Sequence, residues 1–216
     1  DADRSKANWI EPFKSRNVIL TTIMMVLFMS WTILFIVFGA TYLTQERGFS
    51  IGTANVIMSA WGIGAFFGMS LLAMLSDRFG RKRVLIPGTI LSAVFTLLFL
   101  FAPSNAVLLF FLMLLAGGFG QGVYPIFTAI IPVESVPEQV KATALGVPIA
   151  VGEIIGGGFF PALIGLIAFQ YGLGLQFIGV CAGIALVINS LIAFGIKETH
   201  PVFANPAGKG VLSHHA

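Results

Sequence analysis

Charged residues fall in bursts along this chain, separated by long apolar runs. The first run extends from Asn17 to Leu43 and stops before TQERGFS; the second extends from about Ile51 to Ser76 and stops at DRFGRKR. Val84 to Val133 carries no charge and is too long for one membrane crossing. APSN, Ala102 to Asn105, divides it by turn chemistry into Val84–Phe101 and Ala106–Ile131. After PVESVPEQVK comes Ala142–Ala168; FQYGLG then turns the chain into Gly174–Ile196. A membrane helix needs about 20 mostly apolar residues. The pattern therefore predicts an all-α membrane protein with six transmembrane helices.

Composition removes the alternatives. Of 216 residues, 57% are hydrophobic and 10% charged, and mean hydropathy is +0.95. A soluble domain carries about 25% charged residues. The net charge of +3 does not indicate nucleic acid, because the basic residues sit beside apolar runs, where membrane topology places them. Arg4, Lys6, Lys14, Arg16, Arg78, Arg81, Lys82, Arg83, Lys141, Lys197 and Lys209 fall on one side of the predicted membrane, and only Arg47 on the other. Positive charge marks the cytoplasmic face, so both termini are expected in the cytoplasm of a cell-membrane protein. The expected organisation is a linker segment (1–16), a six-helix bundle (17–200) and a tail (201–216). The chain starts at Asp1 without an initiator Met, so a preceding segment is expected. The second and fifth spans are both Gly-rich and adjoin charged loops, a weak sign of a three-plus-three repeat.

LLAMLSDRFGRKRVL, Leu71 to Leu85, resembles the signature loop of the major facilitator superfamily through Asp77, Arg78, Gly80, Arg81 and Lys82. Ala73 stands where the family usually has Gly. PVESVPEQVKATALG, Pro132 to Gly146, is similar to the loop before the family's eleventh helix, and KETHP, Lys197 to Pro201, to the exit from its twelfth. The resemblance covers roughly residues 17–200 and implies helices seven to twelve, half of a major facilitator superfamily fold. It implies a gating or interface role for Asp77, Arg78, Gly80 and Arg81, with a partner helix in an N-terminal half. Independently of the family, DRFG needs Gly80 for a sharp reversal. Asp77 suits a helix N-terminus, where unpaired N–H groups attract an anion, and the basic residues can hold the loop at lipid phosphates.

Within the spans, Glu153 is the one acid, twelve residues after Lys141, or about 18 Å along a helix. An intramembrane carboxylate must face protein or water and is a functional candidate. It is expected to exchange a proton, or to pair with substrate or a basic residue; the alternative is a protonated acid hydrogen-bonded between helices. Gln121, Tyr124 and Thr128 share one helical face near mid-depth. They are candidate substrate contacts, on a helix that in the resembled family lines the central cavity, or else interhelical hydrogen-bonding groups. Phe28, Trp31, Phe35, Phe38 and Tyr42 form an aromatic stripe that faces either cavity or lipid; Trp31 is the cavity candidate, because a deep indole N–H needs a partner. Asn55, Ser59, Gly62, Phe66 and Ser70 read as a helix–helix seam.

Cys181 is alone, and His200, His214 and His215 lie outside every run, so no disulfide framework, metal centre or cofactor is expected. Without a nucleophile and base, the chain is not expected to be an enzyme. The expected function is secondary active transport of a small solute by alternating access, with proton-coupled symport of an organic acid as the substrate class. Expected partners are the lipid bilayer, the small-molecule substrate and either an N-terminal six-helix half or a second copy. The competing expectation is a self-contained six-helix protein, acting as a homodimeric carrier or a non-transporting partner subunit.

Overall fold

The structure, a computed structural model, describes residues 11–204. Arg4, Lys6, Lys209, His214 and His215, with most of the expected linker and tail, lie outside the described residues. Six long helices follow the predicted runs: α1 (Arg16–Gln45), α2 (Ile51–Phe79), α3 (Arg81–Phe101), α4 (Ala106–Glu134), α5 (Glu138–Gln170) and α6 (Leu175–Gly195). Each is long and apolar enough to cross a membrane. Several extend beyond the apolar run into flanking polar residues, because helical hydrogen bonding continues where the chain meets the membrane edge.

Short polar signals set the ends. Ser50 Oγ accepts from Thr53 N–H at 3.2 Å at the start of α2, and Asn105 Oδ1 accepts from Leu108 N–H at 3.1 Å at the start of α4. Gly80 alone separates α2 from α3, at φ +102°, in the region an L side chain rarely adopts.

The helices pack in the order α2, α4, α3, α6, α1, α5, with α1 also touching α2. Between membrane helices, close packing must replace the hydrophobic drive, so small residues mark the seams. A Cβ on Gly64 would sit 2.1 Å from the Leu114 carbonyl oxygen, and one on Gly68 2.0 Å from that of Gly118. The α2–α4 seam therefore requires glycine. A Cβ on Gly156 of α5 would come equally close to the Val26 carbonyl oxygen of α1.

Two helices depart from regular α-geometry. Ile126–Ile130 of α4 is π-helical just after Pro125, and Gly152–Phe159 of α5 is π-helical after Pro148. Proline removes an intrahelical donor and crowds the preceding turn, and π-segments often occur at functional sites. α5 and α2 are the least buried spans, α5 the more exposed of the two.

Candidate functional site

Glu153 is the second residue of the π-helical segment, near the midpoint of the 33-residue α5. It is exposed on the surface of the six-helix bundle, as are its neighbours Ile154 and Ile155. Its carboxylate lies beside Gly157, one turn on, in a surround shared with Ile33 and Met29 of α1. Tyr124 of α4 also borders α1, with its ring against Phe28.

The other polar residues of α4 are more enclosed. Gln121 is buried, its Nε2 3.5 Å from Thr32 Oγ1 of α1. Thr128 is buried and its hydroxyl donates to the Tyr124 carbonyl at 2.6 Å, a bond back along its own helix. Tyr124 is half-buried, its ring 5.3 Å from Phe28 and 5.9 Å from Phe127. The 121–124–128 stripe therefore presents Tyr124 outward and uses Thr128 within the helix.

Trp31 is placed differently from the cavity expectation. It is fully buried, 4.4 Å from Trp61 and 5.3 Å from Phe28 between ring centroids, with its six-membered ring over Gly120. Its indole N–H meets no acceptor among the described residues. Phe28, Phe35 and Tyr42 are buried as well. The aromatic stripe is interior packing, because only large flat rings fill the space that Gly120 opens between α1, α2 and α4. The expected seam on α2 is not made within the bundle: Asn55, Ser59, Gly62, Phe66 and Ser70 are all exposed, and the α2–α4 seam runs along Gly64 and Gly68.

The signature loop forms a second polar centre at the basic end of the bundle. Arg81 is buried; its guanidinium is paired with Asp77, bonds Glu134 at 2.9 Å and donates to Ser76 Oγ at 3.1 Å. Glu198 accepts from the backbone N–H groups of Arg81 at 2.9 Å and Lys82 at 3.0 Å. The anion at the N-terminus of α3 is thus Glu198; Asp77 closes the preceding helix and engages the Arg81 side chain. Thr199 donates to Glu134 at 2.6 Å, and Asn17 bonds both the Lys197 backbone and Ser135. The start of α1 and the exit from α6 therefore meet at one end. Sequence reasoning missed Glu134, Glu198 and Asn17, although the first two are acids inside the very loop and exit segments singled out.

The opposite end has its own clamp on two neighbouring residues. Arg47 donates to the carbonyls of Leu100 at 2.7 Å and Ala102 at 2.8 Å, closing the C-terminus of α3, and to Tyr42 Oη at 2.7 Å. Glu46 accepts from Leu175 N–H and, at 2.9 Å, from Gln176 N–H at the start of α6. Each charge matches the sign of the helix end it meets.

Known proteins match this architecture. The family model for the Major Facilitator Superfamily covers residues 20–213. The cis,cis-muconate transport protein of Acinetobacter baylyi is 31% identical over 73% of this chain and 37% of its own length. The 4-hydroxybenzoate transporter PcaK of Pseudomonas putida is 34% identical over 58% of this chain and 28% of its own. Among solved structures, the transporter FucP in its outward conformation superposes with a TM-score of 0.67 at 19% identity, over 83% of this chain and 42% of that one. The chain thus spans well under half the length of the curated relatives it matches.

Proposed function

This chain belongs to the Major Facilitator Superfamily, and from that premise we propose that it forms one six-helix half of a secondary active transporter moving a small organic acid by alternating access. The observation that carries the reading is Glu153, an acid at mid-helix on the exposed face of α5, beside Met29 and Ile33 of α1. A carboxylate at that depth is costly facing lipid and useful facing a solute pathway. In this reading Glu153 takes up and releases the coupling proton, while Tyr124 and Gln121 contact the substrate with Thr128 shaping their helix. Trp31 acts indirectly, by packing Phe28 under Tyr124. The relatives named for cis,cis-muconate and 4-hydroxybenzoate support an organic acid as the substrate class.

The polar and glycine positions left open on α2, Asn55, Ser59, Gly62 and Ser70, fit a protein partner better than lipid. That partner is the other six-helix half or a second copy. Asp77 follows on the same helical face and keeps its side chain 65% exposed while paired with Arg81. It is therefore available for a contact across the halves that Gly80 and Arg81 position, and breaking that contact would gate the transporter. The excess of basic residues at this end supports its assignment to the cytoplasm of a cell-membrane protein.

The test is uptake by the full-length transporter in proteoliposomes, with labelled muconate and 4-hydroxybenzoate as probes and an imposed proton gradient. Glu153→Gln is expected to abolish gradient-driven accumulation and leave substrate exchange intact. Unchanged gradient-driven accumulation in that variant would remove Glu153 from proton coupling.

A further inference from the structure

The exposed surface of α2 has two flanks of different chemistry. Asn55, Ser59, Gly62, Phe66, Ser70 and Asp77 follow three-, four- and seven-residue steps along one of them. Phe67, Leu71, Met74 and Arg78 follow the same helical spacing along the other, about 100° away. All four are exposed and the first three are apolar. Beside this second flank, α2 and α4 leave a groove of about 490 Å³, measured with its open mouth. Gly64, Gly68 and Gly118 form its floor, and Phe67, Leu71 and Phe119 stand among its walls. Glycine on both helices lets the backbones touch and removes the side chains that would otherwise fill the space. The lining is almost wholly apolar.

Arg78 ends this flank, and the basic residues that follow it in the loop contact other parts of the chain. Arg81 is neutralised by Asp77 and Glu134, Lys82 Nζ donates to the Phe194 carbonyl at 2.7 Å, and the Arg83 guanidinium stacks 5.0 Å from the Phe203 ring centre. Arg78 lies against the ring of its neighbour Phe79 and has no carboxylate partner among the described residues. Along α2 the groove residues from Leu71 back to Gly64 are about 10–21 Å from Arg78. That distance compares with about 15 Å for one leaflet of hydrocarbon.

We propose that the α2–α4 groove, with Arg78 at its basic end, binds an anionic phospholipid: one acyl chain lies in the groove and the phosphate pairs with the Arg78 guanidinium. The acyl chain supplies the dispersion contacts that the glycine floor lacks. The guanidinium fork matches two phosphate oxygens. The site lies on the apolar flank, separate from the polar flank offered to a protein partner, and it does not depend on the transported solute.

Native mass spectrometry of the purified full-length protein tests this, with phosphatidylglycerol and phosphatidylcholine of identical acyl chains supplied in equal amounts. The wild type is expected to retain phosphatidylglycerol about fivefold better, the selectivity one arginine near a membrane surface supports. Arg78→Gln should bring the ratio to about one with an unchanged elution profile, Arg78→Lys should keep part of the preference, and Leu71→Trp, which fills the groove, should lower retention of both lipids. Excess inorganic phosphate should leave the preference in place. Equal retention of the two lipids by the wild type, an Arg78→Gln ratio equal to the wild-type ratio, or loss of the preference in inorganic phosphate would each overturn the proposal.

Discussion

α3 and α5 use charge in opposite ways. α3 is apolar through its middle and held by charge at both ends: Glu198 accepts from its first N–H groups and Arg47 donates to its last carbonyls. Beyond the Glu138–Lys141 pair in its first turn, α5 carries one charge at mid-helix, within a π-helical stretch, and that glutamate, Glu153, is exposed rather than engaged. The first arrangement satisfies backbone groups that a helix leaves unpaired and fixes where α3 stands against α1 and α6. The second contributes nothing comparable to the fold and leaves an ionisable group available. Charge at a helix end engages the ends of α3; the mid-helix charge of α5 is left exposed, where the proposed transport role would use it.

The sharpest way to break that contrast is at Arg81. Arg81→Ala leaves Glu134 partly enclosed without its cation; loss of one partner from a buried pair costs about 3–5 kcal/mol. The effect should fall toward the lower end here, because the Asp77 side chain is 65% exposed. The thermal midpoint of the purified protein should drop strongly, with uptake falling both as folded protein is lost and as Asp77 loses the group that positions it. Glu153→Gln should show the reverse: gradient-driven uptake reduced more than tenfold, which is about 1.4 kcal/mol or more at the coupling step, with the thermal midpoint unchanged. If Glu153→Gln instead lowers the midpoint as much as Arg81→Ala does, α5 uses its charge structurally and the contrast fails.

Smaller effects refine the account of α3. Arg47→Met removes the donors to the Phe99, Leu100 and Ala102 carbonyls and should destabilise by about 1–2 kcal/mol, read from the same melts. Glu46→Gln keeps the shape but removes the charge at the start of α6, and should cost about 0.3–1 kcal/mol, less as ionic strength rises. An effect of Glu46→Gln that does not respond to salt would assign the contact to hydrogen bonding alone.

Much of this was legible along the chain. The six runs, the APSN and FQYGLG turns and the Gly80 reversal appear where the sequence puts them, because hydrocarbon thickness and backbone sterics act on contiguous residues. Glu153 was conspicuous for the same reason: one acid in an apolar run needs no partner to be noticed. The faces of the helices were far less legible. Trp31 reads like a cavity residue and is interior, and the polar stripe of α2 reads like a seam but is exposed, while Gly64 and Gly68 form the α2–α4 seam. Amphipathic periodicity separates core from solvent in water, but here both lipid and protein interior are apolar, so periodicity cannot separate them.

The sequence by itself determined the class, the number and approximate placement of the spans, the family and the position of the lone membrane acid. These depend on properties summed over neighbouring residues. Only the tertiary structure decided which acid meets which base. Glu134 and Glu198 are 53 and 117 residues from Arg81, and a pairing at that separation depends on how α2, α3, α4 and α6 stack. Tertiary packing likewise decided that Glu153 and Tyr124 both border α1, near Met29 and Ile33 and against Phe28 respectively, because the consecutive helices α4 and α5 both pack on it.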